Sequence, residues 1–184
     1  ANTVGHYDAY IKGKPINDSF AFDLIEPYEF KNKKLHISRL DANILAKNIS
    51  CDIVYIDPPY NSRQYSRFYH VLENITKWEK PELFGVACKP KPENMSEYCK
   101  RSATKTFEEL ISSLNCKYIV VSYNNTYNSR SSSSRNKISL EDIQRILENK
   151  GAISIFEKEH PYFNAGKSNL ANHKELIFII KVGK

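Results

Sequence analysis

Residues 52–60 read Asp52-Ile53-Val54-Tyr55-Ile56-Asp57-Pro58-Pro59-Tyr60, and the rest of the chain is best read outward from them. Asp52–Ile56 is expected to form a strand, because the run from Ile53 to Ile56 is continuously apolar, as in strands buried on both faces. Two prolines then hold φ at about −65° and remove two N–H donors, so the turn is stiff and its carbonyls stay available as acceptors. Asp57 adds a carboxylate acceptor and Tyr60 an aromatic face. Such a corner can grip the exocyclic NH2 of a flat base at the rim of a sheet and leave its nitrogen exposed. The plainer alternative is a strand followed by an ordinary Pro-Pro turn, with Tyr60 a core aromatic.

The string Asp57-Pro58-Pro59-Tyr60 resembles the D-P-P-Y signature of amino-methyltransferases, which methylate N6 of adenine or N4 of cytosine with S-adenosylmethionine. The longer stretch Tyr55-Ile-Asp-Pro-Pro-Tyr-Asn-Ser-Arg-Gln-Tyr65 is similar to the D12 class of DNA adenine methylases. A motif of this kind carries weight only in its expected setting, here a buried strand before it and a basic, aromatic loop after it. The resemblance implies an α/β domain, a partial class I (Rossmann-like) methyltransferase fold. It also implies site-specific methyl transfer to a flipped adenine in double-stranded DNA, with S-adenosylmethionine as cofactor. N4-cytosine methylation is the nearest alternative and RNA methylation a further one. A non-catalytic DNA-binding or partner fragment that keeps the motif is the alternative from another class.

In that family setting Asp57, Pro58, Pro59 and Tyr60 are the catalytic candidates. Asp57 and the Pro58 carbonyl would each accept one N–H of the target amine, whose lone pair is otherwise delocalised into the ring. Two acceptors favour a more pyramidal nitrogen, so the effect is alignment with electrostatic support and needs no strong base. Tyr60 would stack on a base that has left the duplex. Asp41, with Ala42 beside it, resembles the acidic residue that binds the cofactor's adenine amino group; its alternative role is a helix cap, and one carboxylate can do both. Asp57 is the third cofactor candidate. Asn61, Arg63, Gln64 and Arg67 form a basic, polar loop suited to phosphates and base edges, with a solvated loop as the alternative. Tyr123 and Asn124 resemble a family segment lining the target-base pocket. Arg130 and Arg135 sit in the tract Ser129–Arg135, either a flexible linker or an arm that orders on DNA. His160-Pro161-Tyr162-Phe163 is a candidate wall for the flipped base. No metal ligands are expected.

The pattern along the chain predicts an irregular segment over 1–34, with a short strand near Ser19–Leu24 and a possible DNA-contacting role, and a catalytic domain over 35–184. Leu35–Leu40 alternates as a strand does, and Asp41 stands where it can cap a helix over Ala42–Asn48. Phe68, Val71, Leu72, Ile75 and Trp78 give one apolar helical stripe. A proline-punctuated loop, Pro81–Pro92, leads to a helix over Asn94–Leu114. Tyr118–Val121 reads as a central strand, and Ser139 opens a helix that ends before Gly151. Ala152–Phe156 and Glu175–Val182 read as a closing hairpin. Alternating strands and helices predict a mostly parallel sheet ending in that antiparallel pair. Ligands of such sheets bind beyond the carboxyl ends of the strands, where Asp41, Asp57 and Tyr123 converge.

A chain of 184 residues suits one domain with a core. No apolar run approaches the roughly 20 residues needed to span a bilayer, and no membrane partner is expected. Four cysteines without a C-x-x-C pair point to reduced thiols in an intracellular protein, and the resemblance implies a prokaryotic cytoplasm. The net charge of +6 favours a polyanion only mildly, since 21 acidic residues mix with 27 basic ones. The family's glycine-rich turn, F-x-G-x-G in pattern, has no counterpart among the six glycines. The chain therefore reads as a C-terminal portion whose sheet is completed by an N-terminal part or a second chain, with weak cofactor binding expected of the portion alone.

Overall fold

The computed structural model describes residues 23–26, 28, 31, 33–85, 88–128, 135–159 and 173–183. Four strands, β1 Ser50–Ile56, β2 Asn115–Asn124, β3 Gly151–Glu159 and β4 Lys174–Val182, make one sheet in the order β1-β2-β4-β3. Only β1 and β2 run parallel; β4 is antiparallel to both β2 and β3. The expectation of a mostly parallel sheet is thus corrected to a mixed one. β3 and β4 do pair as a hairpin, but β4 enters between β2 and β3 and converts two of the three pairings to antiparallel.

Among the described residues five α-helices accompany the sheet: α1 Ala42–Ala46, α2 Tyr65–Phe68, α3 His70–Lys77, α4 Ala103–Ser113 and α5 Leu140–Glu148. Asp41 caps α1, its Oδ1 accepting from the N–H groups of Asn43 and Ile44 at 2.9 and 3.2 Å. Ser139 caps α5 by accepting from the Asp142 N–H at 3.0 Å, which satisfies one of the orphan donors of a helix start. The apolar stripe after Arg67 forms two pieces, α2 and α3, and the second ends where Trp78 turns left-handed at φ 55. The helix expected over Asn94–Leu114 is also divided. Asn94 takes φ 47, Glu97–Cys99 makes a 3-10 turn, and only then does α4 begin.

Leu35–Leu40 is not a strand. Leu35, Ile37 and Leu40 are all exposed, and alternation without a neighbouring strand leaves the backbone donors and acceptors no ladder to join. The strand expected near Ser19–Leu24 lies outside the described residues except at its end, as does most of the segment 1–34.

One face of the sheet carries the core. Ile119, Val121 and Tyr123 of β2 and Leu176, Phe178 and Ile180 of β4 are buried with Phe107, Leu110 and Ile111 of α4 and Ile143, Ile146 and Leu147 of α5. α4 lies between α1 and α5. Gly151 opens β3 where a Cβ would stand 2.1 Å from the Lys181 carbonyl oxygen, so only a hydrogen fits. The opposite face, through Ile53 and Tyr55 of β1, Tyr118 of β2 and Phe156 of β3, stays open: these are 62, 62, 39 and 59% exposed.

Candidate active site

β1 and β2 end at the same edge of the sheet, which places Asp57 and Tyr60 beside Ser122. The Tyr60 hydroxyl donates to Asp57 Oδ1 at 2.8 Å and lies 3.4 Å from Ser122 Oγ. Burial, the largest influence, pushes the Tyr60 phenol well above its usual range; the Ser122 contact offsets part of this and the Asp57 carboxylate adds to it. The phenol therefore stays protonated and acts toward Asp57 as a donor. Asp57 itself is exposed, Pro58 is buried, and Pro59 and Tyr60 are half-buried. The corner is rigid for a further reason. The Tyr60 carbonyl accepts from the Lys137 N–H at 2.8 Å and the Tyr123 hydroxyl at 3.4 Å, and the Tyr60 ring meets Tyr123 edge-on with centroids 5.0 Å apart.

A cavity of about 690 Å³ opens beside this corner, lined by Asp41 and Ala42 together with Asp57, Pro58 and Pro59. Leu45, Val54, Ile56, Leu110 and Leu114 form apolar wall, and Asn94, Met95, Ser96 and Glu97 close another side. The fold thus brings together residues sixteen positions apart, Asp41 and Asp57, on one cavity. Asn43 ties the Asp41 end down: it accepts from the Tyr98 hydroxyl at 2.6 Å and donates to the Thr106 carbonyl at 2.9 Å. Glu97 is held ionised below its usual range, first by Lys100 and then by Ser102.

The loop candidates separate. Arg63 is exposed and lies over the Phe68 ring at 5.6 Å, and Arg67 donates to the Pro90 carbonyl. Asn61 accepts from the Arg63 N–H at 3.0 Å and bridges to Asn136. Gln64, by contrast, is 7% exposed and spends its amide on Ser96. Tyr123 is fully buried, and Asn124 is bonded within a cluster with Thr126 and Asn136. All three are buried, and their polar groups are engaged within the protein. Arg135 is exposed; Arg130 and the segment from His160 to Phe163 lie outside the described residues. Sequence reasoning missed Asn43, Ser122 and Asn136. Asn43 and Ser122 are single polar residues between apolar neighbours and Asn136 stands between two basic residues, patterns too common to single them out.

The family described as D12 class N6 adenine-specific DNA methyltransferase matches residues 1–128 of this chain. The chain belongs to that class. It is 36% identical to the modification methylase StsI of Streptococcus sanguinis, over 96% of this chain and 26% of StsI. It is 33% identical to the type II methyltransferase M.NlaIII of Neisseria lactamica, over 95% of this chain and 50% of that protein. It is 40% identical to M.FokI of Planomicrobium okeanokoites, over 77% of this chain and 21% of that one. The chain thus spans half or less of the length of these D12-class relatives. No solved structure matches it. Among the described residues no helix is long and apolar enough to cross a membrane, and no three metal-ligating side chains cluster.

Proposed function

We propose that this chain forms the part of a DNA adenine-N6 methyltransferase that grips the target amine and one end of S-adenosylmethionine. The observation that supports the reading is that the exposed Asp57, with Pro58 and Pro59, lines the same cavity as Asp41. Flat apolar walls ending in a carboxylate suit an adenosine, with Asp41 and Ala42 at its polar edge and Asp57 and the two prolines toward the reacting end. When bound, S-adenosylmethionine supplies an electrophilic methyl group on sulfonium. The chain's own residues align the nucleophile. Asp57 accepts one N–H through the carboxylate oxygen not engaged by Tyr60, and the Pro58 carbonyl accepts the other. Both hydrogen bonds turn the nitrogen lone pair out of the ring plane, and both strengthen as positive charge grows on nitrogen, which is where preorganised acceptors help most. Tyr60 offers its ring to the flipped base while its hydroxyl orients Asp57. The departing proton passes to Asp57 or to water.

Arg63, Arg67 and Arg135 supply phosphate contacts on duplex DNA, with Asn61 toward the base. The open sheet face and the unpaired side of β1 are where further polypeptide, of the kind that makes the relatives longer, completes the sheet. The setting is restriction–modification or related DNA marking in a prokaryotic cytoplasm.

The test is methyl transfer from labelled S-adenosylmethionine to duplex DNA, followed by identification of the modified base. N6-methyladenine is expected, and Asp57→Ala should lower kcat by about a hundredfold or more while DNA affinity changes little. N4-methylcytosine, or equal activity in Asp57→Ala, would overturn this assignment.

A further inference from the structure

Segment 63–67, directly after the D-P-P-Y corner, holds segment 90–99 across a separation of about thirty residues. The Gln64 side chain makes the central contact. Its Nε2 donates to the Ser96 carbonyl at 2.9 Å, and its Oε1 accepts from the Ser96 N–H at 2.7 Å. A primary amide offers a donor and an acceptor side by side whatever the pH, so it completes both backbone groups of Ser96 as a neighbouring strand would. At 7% exposure water does not compete effectively for these bonds. Flanking contacts point the same way. The Cys99 thiol donates to the Arg63 carbonyl at 3.5 Å, Ser66 Oγ meets Met95 Sδ at 3.9 Å, and Arg67 binds the Pro90 carbonyl.

What Gln64 holds is a wall of the cavity. Asn94, Met95, Ser96 and Glu97 line it together with Asp41 and Asp57, and this wall has no regular ladder of its own until the 3-10 turn at Glu97. Asn94 is also in the left-handed region at φ 47, so the segment needs an outside hold to keep its course. Gln64 itself stands seven residues beyond Asp57, at the start of α2. We propose that Gln64 is a positioning residue whose amide locks the wall Asn94–Glu97 to the D-P-P-Y corner, so that the cofactor pocket and the target-amine site keep one fixed spacing. This deepens the methyltransferase reading above and rests on it for its bearing on cofactor binding; the lock itself does not.

Two measurements on the full chain separate the two. Hydrogen exchange read by mass spectrometry should show peptides covering 90–99 exchanging about tenfold faster in Gln64→Ala than in the wild type, the loss of one buried bond set, with peptides of α4 and β2 unchanged. Unchanged exchange over 90–99 overturns the proposal, and so does a uniform rise over the whole chain. In the methyl-transfer assay, Gln64→Ala should raise KM for S-adenosylmethionine more than it lowers kcat, and leave KM for DNA near the wild-type value. Gln64→Glu supplies the pH readout. Its ionised carboxylate lacks the donor and faces the Ser96 carbonyl, so the KM defect should shrink relative to wild type as the pH falls and the carboxyl regains a proton. A Gln64→Glu defect independent of pH overturns the proposal. Absence of methyl transfer even when the chain is supplied with the polypeptide that completes its sheet counts against the methyltransferase reading, and the exchange result still decides the lock.

Discussion

At the scale of single residues, the site is built from groups that were visible in the sequence and groups that were not. Asp57 and Tyr60 were legible because a carboxylate and a ring around two prolines form a motif in one local stretch. Tyr123 was legible only as a candidate for contact with a base, yet its hydroxyl bridges Tyr60 and Ile138. It donates to the Tyr60 carbonyl and accepts from the Ile138 N–H at 3.3 Å. Tyr123→Phe leaves that buried N–H without a partner, so urea denaturation should show a loss of about 1–3 kcal/mol. The surface pair of Lys117 with Asp52, 2.7 Å apart, lowers the Asp52 carboxyl and raises the Lys117 ammonium. Because the folded Asp52 value lies below its ordinary 3.8, the pair's contribution is present above that value and fades as pH falls through the lowered one. Lys117→Met should therefore flatten a small part of the acid limb of stability against pH, as followed by thermal melts between about pH 2 and 5. The thiols differ for a related reason. Burial pushes the Cys99 and Cys116 thiols up, whereas Cys51 and Cys88 are exposed. A thiol reagent at pH 8 should modify Cys51 and Cys88 first, with Cys99 last.

At the scale of elements, caps and periodicity decided most of what was read correctly. Ser139 with Asp142 marked the start of α5, and Asp41 marked α1, because an N-cap needs only residues within one turn of itself. Ser139→Ala should cost about 1 kcal/mol, read as a lower urea midpoint with unchanged slope. Ile119→Ala, at a position with no exposed surface on β2, should cost about 2–5 kcal/mol in the same assay, since the surrounding strands cannot close the space. The misread elements share one cause. Leu35–Leu40 alternates without a strand to pair with, and the stretch from Asn94 breaks before α4 because the wall segment is held by Gln64 and Ser96 caps its own short turn. Periodicity measures where apolar side chains recur; it carries no information about which backbone partner is available.

At the scale of the whole molecule, one sheet face is packed under α1, α4 and α5 and the other is open. Among the described residues, Ile53, Tyr55, Tyr118 and Phe156 stand on that open face, and β1 ends the strand order with a neighbour on one side. An exposed apolar face beside an unpaired strand edge favours association. Sedimentation of the chain alone should show self-association that grows with concentration, and Ile53→Lys with Phe156→Lys should weaken it without lowering the melting temperature by more than a few degrees. The same duality explains why composition was a poor guide: a net charge of +6 and ordinary apolar content do not reveal that the apolar surface is distributed over two faces, only one of which these residues cover.

The sequence by itself determined the strand and rigid corner at Ile53–Tyr60, the two capped helices, and the closing hairpin, because each depends on torsions and hydrogen bonds between residues close along the chain. Tertiary structure alone decided that β4 lies between β2 and β3, and that Asn94–Glu97 wall the cavity on which Asp41 and Asp57 meet. It also decided that Gln64, Tyr123 and Asn124 turn inward as supports. Those outcomes rest on which distant segments bury surface against one another and satisfy one another's polar groups, a competition that no local pattern encodes.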